Sequence, residues 1–157
     1  MSSDNISRVT AVRFSEKHIA EAAELERKYF SEPWSENSLR LLCTEDYPSF
    51  ALCSDDGALL GYLSAAKAPD ELQIINVAVR EDMRGKGLGR LLMAQADEYC
   101  RKNALSSISL EVRESNETAI ALYTRCGFFS AGVRKNFYRS PTENAVVMIK
   151  NFNQTRT

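Results

Sequence analysis

The sequence predicts one mixed α/β domain with elements in the order β-α-α-β-β-β-α-β-α-β-β. Three observations predict it. "SISLEVR" (Ser107 to Arg113) alternates strictly, as a strand does. "LQIINVAVR" (Leu72 to Arg80) is nearly all apolar, like a strand buried on both faces. Between them, Leu88, Leu91, Leu92, Gln95, Ala96 and Tyr99 trace one face of a helix. At 157 residues the chain fits a single domain, expected over 8–152 between short tails at 1–7 and 153–157. No internal repeat, linker or low-complexity tract interrupts it.

The elements follow in order. "RVTAVRF" alternates and reads as the first strand. From Ser15, the recurrence of Ile19, Ala22, Leu25 and Tyr29 predicts a helix, with the chain's single histidine, His18, exposed on it. "SEPWS" ends that helix, because Pro33 cannot continue it. Ser35 can cap a second, short helix carrying Leu39, Leu41 and Leu42. "SFALCS", "DDG" and "LLGYLSAAKA" read as a hairpin, and "PDE" turns the chain into the long apolar strand. After "SISLEVR", Ser115 or Asn116 caps "ETAIALYTRC", and Gly127 stops it just past the C-cap. "FFSAGVRKNFYR" is a long strand, "SPTEN" a turn, and "AVVMIK" is expected to close the sheet.

Composition narrows the function classes. Net charge is −1 and pI about 5.9, so general attraction to nucleic acid or membrane is not expected. No apolar run reaches the length of a membrane span, and "MSSDNISR" lacks the apolar region of a signal peptide. Cys43, Cys53, Cys100 and Cys126 show no C-x-x-C spacing and read as free thiols in a reducing cytoplasm. One histidine leaves little material for a Ser–His–Asp triad or a multi-histidine zinc site, so no metal is expected. Acid–base work then falls to carboxylates, tyrosines or water. Cys126 beside the helix stop has no nearby histidine in sequence to activate it as a nucleophile.

The most informative stretch is "VREDMRGKGLGRLL", where Gly85, Gly87 and Gly89 interleave with Arg84, Lys86 and Arg90. It lies where a strand feeds a helix, and a helix N-terminus offers unpaired N–H groups and partial positive charge. Glycines let backbone approach an anion, and the basic side chains suit a diphosphate. A P-loop and a dinucleotide fingerprint both fail to match, which argues against a dinucleotide oxidoreductase.

Arg84-Gly85-Lys86-Gly87-Leu88-Gly89 resembles the R/Q-x-x-G-x-G/A signature of the GNAT acetyltransferase superfamily. "PWSENSL", "INVAVR", "RGKGLGRLL", "LEVRESNETAIALYTRCGF" and "RKNFY" are similar to the ribosomal-protein-alanine N-acetyltransferase (RimI) type. The resemblance implies a mostly antiparallel sheet, splayed between its fourth and fifth strands. It implies acetyl-CoA as co-substrate, its pyrophosphate held by Arg84, Gly85, Lys86, Gly87, Leu88, Gly89 and Arg90. Its pantetheine arm would pair with backbone near Val77 and Val79, and N–H groups near Val77 and Ala78 would steady the oxyanion. Acetyl would pass directly, through a tetrahedral intermediate, to the N-terminus of a ribosomal protein, an S18-like small-subunit protein beginning with alanine.

Glu111, on the polar face of its strand, is the candidate general base and matches the glutamate of "LEVR". The alternative is a solvent-facing strand glutamate paired with Arg113. Glu71, at the start of the central strand, is the rival base. Tyr123, matching the tyrosine of "ALY", is the candidate acid for the departing thiolate, with a core aromatic as the compatible alternative. Asn116 either touches the pantetheine arm or caps its helix. Trp34, Arg134 and Tyr138 fall in segments where the family admits its acceptor, although Trp34 could be a buried anchor and Arg134 a surface residue. Two further readings stay open: transfer to a small amine or a lysine side chain, and a non-catalytic module binding coenzyme A or RNA.

Overall fold

A computed structural model describes residues 8–152; the tails expected at 1–7 and 153–157 lie outside the described residues. Strand β1 (Thr10–Arg13) leads through a 3-10 turn into helix α1 (Ile19–Tyr29) and then α2 (Glu36–Leu39). Strands β2 (Phe50–Cys53), β3 (Leu59–Lys67) and β4 (Glu71–Val79) follow. Helix α3 (Leu88–Lys102), strand β5 (Ser107–Arg113), helix α4 (Glu117–Arg125) and strands β6 (Phe129–Tyr138) and β7 (Glu143–Asn151) complete the chain. This is the element order that the periodicities predict.

Caps and breakers act where expected. The Ser35 hydroxyl oxygen accepts the Ser38 N–H at 3.1 Å and starts α2. The second helix is shorter than its leucine spacing suggests. It gives way to a 3-10 turn at Arg40–Cys43, so Leu39 and Leu42 are buried while Leu41 faces solvent. His18 is a correction. It lies in the 3-10 turn before α1 and is 2% exposed, with its ring packed on Phe14. Its Nδ1 accepts the Ser15 N–H at 2.9 Å, and burial, more than the neighbouring Lys17, lowers its pKa.

The seven strands form one sheet in the order β1-β2-β3-β4-β5-β7-β6. The last strand therefore does not close the sheet at an edge. It inserts between β5 and β6 and leaves β6 outermost, with Phe129, Val133 and Phe137 exposed. All pairings are antiparallel except β4 with β5. Helices α3 and α4 bury Leu88, Leu92, Met93 and Tyr123 against Ile108, Leu110 and Val112 on one face of the sheet. Helix α1 buries Ile19, Ala22, Ala23 and Leu25 with Tyr62 and Ala78 on the other.

The parallel pair is short, and this positions the site. It covers only Glu71↔Ser107, Leu72↔Ile108 and Gln73↔Ser109. Beyond it, β4 stays paired with β3 to Val79, and β5 stays paired with β7 to Arg113. The two strands therefore part, as the resemblance implies. At the point of parting β4 carries a bulge, where Ser64 opposes Asn76 and Ala65 opposes Ile74. The extra residue, Ile75, changes the side-chain parity. Leu72, Ile74, Val77 and Val79 face the α3 core, whereas Asn76 and Ala78 face α1. This is why β4 is less uniformly buried than its apolar run suggests.

Candidate active site

One wall of the gap is the backbone edge of β4. Arg80 N–H donates to Leu60 O at 2.8 Å, and Ala78 stands opposite Tyr62, so backbone groups at these positions point into β3. Antiparallel pairing alternates, which turns the amides and carbonyls of Val77 and Val79 toward the gap. The Val79 carbonyl accepts Arg84 Nε at 3.1 Å from that side. Of the two N–H groups expected near the oxyanion, the one facing the gap is thus Val77's; Ala78's is directed to β3.

The glycine loop sits at the end of this wall. Gly85 and Gly87 have φ of +77° and +82°, which L-residues adopt only with strain, and a Cβ on either would meet open space. Gly87 is the N-cap of α3 and offers no side-chain acceptor, so the first amides of the helix remain available to an anion. Gly89 serves packing: a Cβ there would come 2.9 Å from Leu122 Cδ2 of α4. Leu88 is buried beneath the loop. Arg84 lies 4.4 Å over the Tyr29 ring, and Lys86 and Arg90 form no ion pair among the described residues. Unpaired cations around bare N–H groups fit a diphosphate.

Strand β5 forms the other wall. Ile108, Leu110 and Val112 point into the core, so Glu111 and Arg113 share the opposite face. Glu111 pairs with Arg134 of β6, Oε2 to Nε at 3.3 Å, and not with Arg113. A register shift between Arg134 and Tyr138, with Asn136 at φ +55°, breaks the alternation of β6. Phe137 faces outward, whereas Tyr138, an even number of residues from Arg134, turns in and is half-buried. Burial first, and the nearby Glu111 carboxylate second, push the Tyr138 phenol up to about 12. Tyr123 of α4 packs its ring 5.9 Å from Phe128, and burial, then Tyr138, push it to about 12 as well. Glu111, Tyr138 and Tyr123 therefore form one electrostatically connected group.

The remaining candidates separate. Glu71 lies at the paired end of β4, hydrogen-bonded to Gln73 Nε2 at 3.1 Å. Val77 is six residue steps further along the strand, about 20 Å away. Asn116 caps α4, its side-chain oxygen accepting the Ala119 N–H at 3.1 Å. Cys126 has its thiol pushed up chiefly by burial, and the described histidine contacts Cys53 instead, Nε2 to Sγ at 3.5 Å. Among the described residues no group of three or more His, Cys, Asp or Glu could hold a metal ion.

Sequence reasoning missed Glu26. It is 1% exposed on α1, and its two carboxylate oxygens receive three donors. Oε1 accepts the Trp34 N–H at 2.8 Å, while Oε2 accepts Asn76 Nδ2 at 3.2 Å and the Tyr62 hydroxyl in a short contact. One buried carboxylate thus ties the loop carrying Trp34 to the bulge of β4. Trp34 itself is half-buried against the α1 core. The available signal was a glutamate at helical spacing from Ile19, Ala22 and Ala23, on the apolar stripe. Arg113 was weighed only as a partner for Glu111. It instead reaches Glu143, two backbone carbonyls and Ser31.

A sheet parted at its centre, with a glycine loop and the open N-terminus of α3 at one end of the gap and a carboxylate and phenols beside it, is an arrangement suited to an acyltransferase. The chain belongs to the acetyltransferase (GNAT) family, whose model matches residues 19–128, and enzymes of this family use acetyl-CoA. Among its relatives is the putative [ribosomal protein bS18]-alanine N-acetyltransferase of Bacillus subtilis, 35% identical over 132 residues, or 83% of this chain and 87% of that one. The [ribosomal protein bS18]-alanine N-acetyltransferase of Escherichia coli is 33% identical over 129 residues, 81% of this chain and 86% of that one. The crystal structure of the ribosomal-protein-S18-alanine N-acetyltransferase from Escherichia coli superposes with a TM-score of 0.86 at 28% identity, covering 95% of this chain and 97% of that one. Ard1 from Thermoplasma volcanium gives 0.83 at 27% identity, covering 93% and 99%.

The loop geometry carries a prediction. Gly87→Ala places an L-residue at φ +82° and should cost about 1 kcal/mol of stability while weakening acetyl-CoA binding several-fold. Gly89→Ala displaces only the tip of Leu122 and should cost less on both counts. Thermal unfolding and calorimetric titration with acetyl-CoA measure the pair; equal effects would contradict the assignment of Gly87 to the cradle.

Proposed function

We propose that this protein acetylates the α-amino group of an N-terminal alanine, with ribosomal protein bS18 as the acceptor and acetyl-CoA as the donor. The observation that carries the reading is the placement of Glu111 and Tyr138 on one face of the sheet, where β4 and β5 have separated. The bS18-alanine N-acetyltransferases among its relatives supply the acceptor. Within this reading Trp34, Arg134 and Tyr138 line the acceptor side, and Arg84 to Arg90 hold the pyrophosphate with Asn116 near the pantetheine arm. The near-neutral charge balance suits work on a protein acceptor, and among the described residues no helix is long and apolar enough to cross a membrane.

The chemistry follows from ordinary acidities. An α-amine titrates near 7.7–8.0 in reference peptides, against about 10.4 for lysine, so a carboxylate is base enough. Glu111 takes the proton that the amine nitrogen loses as it bonds to the acetyl carbon. The carbon–sulfur bond breaks as the Val77 N–H steadies the carbonyl oxygen. Tyr123 keeps its proton throughout the neutral range and presents an O–H donor to the departing sulfur. Arg134 now occupies the Glu111 carboxylate through a partly exposed pair of little worth, which an incoming amine can displace.

The test uses isotope-labelled acetyl-CoA and two peptides, one with a free Ala-Arg N-terminus and one with its N-terminus blocked and a lysine inside. Label on the first alone is expected. Label on the lysine peptide, or on neither, overturns the reading. With the first peptide, kcat/KM should rise with pH through about 7.7–8.0, as the amine loses its proton. No alkaline fall is expected near pH 9, because Tyr123 titrates only at about 12. An alkaline limb at 9 would remove Tyr123 from the donor role.

A further inference from the structure

Arg113 gathers an unusual set of partners. Its Nη1 donates to Pro141 O at 2.9 Å and to Glu143 Oε1 at 3.2 Å. Its Nη2 donates to Arg139 O at 3.0 Å and to Ser31 Oγ at 3.2 Å. The four terminal N–H groups of the fork are thus all engaged. Ser31 closes the arrangement by donating its own hydroxyl to Arg139 O at 3.3 Å. The guanidinium also lies 4.4 Å over the ring of Tyr138.

These contacts join three separate pieces of chain. Ser31 belongs to the loop between α1 and α2, Arg139 and Pro141 to the turn between β6 and β7, and Arg113 to the end of β5. Ser31 and Arg139 are 108 residues apart in sequence. The same α1–α2 loop is bound at its other end to β4, through Trp34, Glu26 and Asn76. The loop therefore spans from one separated strand to the other. Its attachment on the β5 side is the Arg113 cluster.

We propose that Arg113 is a positioning residue that straps the α1–α2 loop to the β6–β7 turn, holds Tyr138 beside Glu111, and so sets which amines reach the carboxylate. The inference rests on the acceptor reading given above. A mouth held shut on both sides admits the end of a chain more readily than a side chain midway along one. Loosening the strap lets the loop and the turn separate, which weakens the hold on a peptide N-terminus and relaxes the exclusion of internal lysines. The pyrophosphate cradle lies on the other arm of the splay and has no part in the cluster.

Arg113→Lys keeps the charge and loses the fork, because one ammonium with three N–H groups cannot serve four acceptors. Ser31→Ala removes one strand of the strap and leaves Arg113 in place. In Arg113→Lys the KM for the Ala-Arg peptide should rise about tenfold, the loss of roughly one charge-assisted hydrogen bond. Preference for the α-amine over the lysine peptide should narrow, acetyl-CoA affinity should stay unchanged, and amide exchange in residues 30–35 should accelerate. Ser31→Ala should shift each quantity the same way by less. Unaltered exchange in residues 30–35 with unaltered peptide KM overturns the proposal, as does a parallel loss of acetyl-CoA affinity, which marks general loosening. Wild-type protein that labels neither peptide would sink the acceptor reading, while the exchange measurement still decides whether Arg113 holds the loop.

Discussion

Replacing Glu111 with glutamine should lower kcat by about 10²–10⁴-fold, the range associated with a general base. The amide keeps the shape of the side chain and removes its capacity to take a proton. Acetyl-CoA binding should be unchanged, because among the described residues no hydrogen bond or ion pair joins Glu111 to the glycine loop at 84–90. Stability should change little. The pair with Arg134 is the only ion pair Glu111 makes among the described residues, and Arg134's side chain is 60% exposed, so the pair is worth at most about 1 kcal/mol. Glu71→Gln should leave kcat intact, since that carboxyl sits at the paired end of the splay. Steady-state kinetics with the Ala-Arg peptide, beside calorimetric binding of acetyl-CoA, separate the outcomes. Full activity in Glu111→Gln would reduce Glu111 to a strand residue paired with Arg134.

The second large effect falls on stability. Glu26→Leu keeps comparable bulk but strips the acceptor from the Trp34 N–H, the Tyr62 hydroxyl and the Asn76 amide in a site that is 1% exposed. An unsatisfied buried donor costs about 1–3 kcal/mol. Three of them, partly relieved by relaxation, should cost about 3–5 kcal/mol. For a chain of this length that is roughly 10 °C in Tm. Glu26→Gln retains one oxygen and should lose less, although its N–H₂ group then faces donors. The Tyr62 phenol, whose pKa burial and Glu26 both raise, remains a donor in the native protein over the whole working range. Thermal unfolding measures the series, and a loss below 1 kcal/mol would show that the donors find other acceptors. Because Trp34 and Asn76 hang from the same carboxylate, the surviving Gln variant should also show a raised peptide KM.

Glu26 and Arg113 mark the limit of what the sequence displays. Each element that could be read in advance has a local cause. "SISLEVR" alternates because β5 has one face on the core. Ser35 and Asn116 cap helices through hydrogen bonds three residues away. Gly85 and Gly87 stand where φ is positive, at the head of α3. Local spacing also foretold the facing of Glu111, and motif resemblance brought Tyr123 and Tyr138 into its company.

Non-local pairing decided the rest. No periodicity says that β7 enters between β5 and β6, since strand order depends on which edges meet after the chain has turned. His18 was misplaced because a short 3-10 turn, not the helix, carries it into the core beside Phe14 and Cys53. Glu111 takes Arg134 instead of Arg113 because β7 lies between β5 and β6 and sets Arg134 opposite Ala145, which itself stands opposite Arg113, so the Arg134 guanidinium reaches over β7 to the carboxylate. The same folding frees Arg113 to bind Ser31, 82 residues distant. The sequence by itself determined the strands, the helices, the glycine loop at the head of α3 and the family. The tertiary structure alone decided how far β4 and β5 part and which polar groups hold the α1–α2 loop, because hydrogen bonds between segments far apart in sequence exist only once the sheet has brought them together.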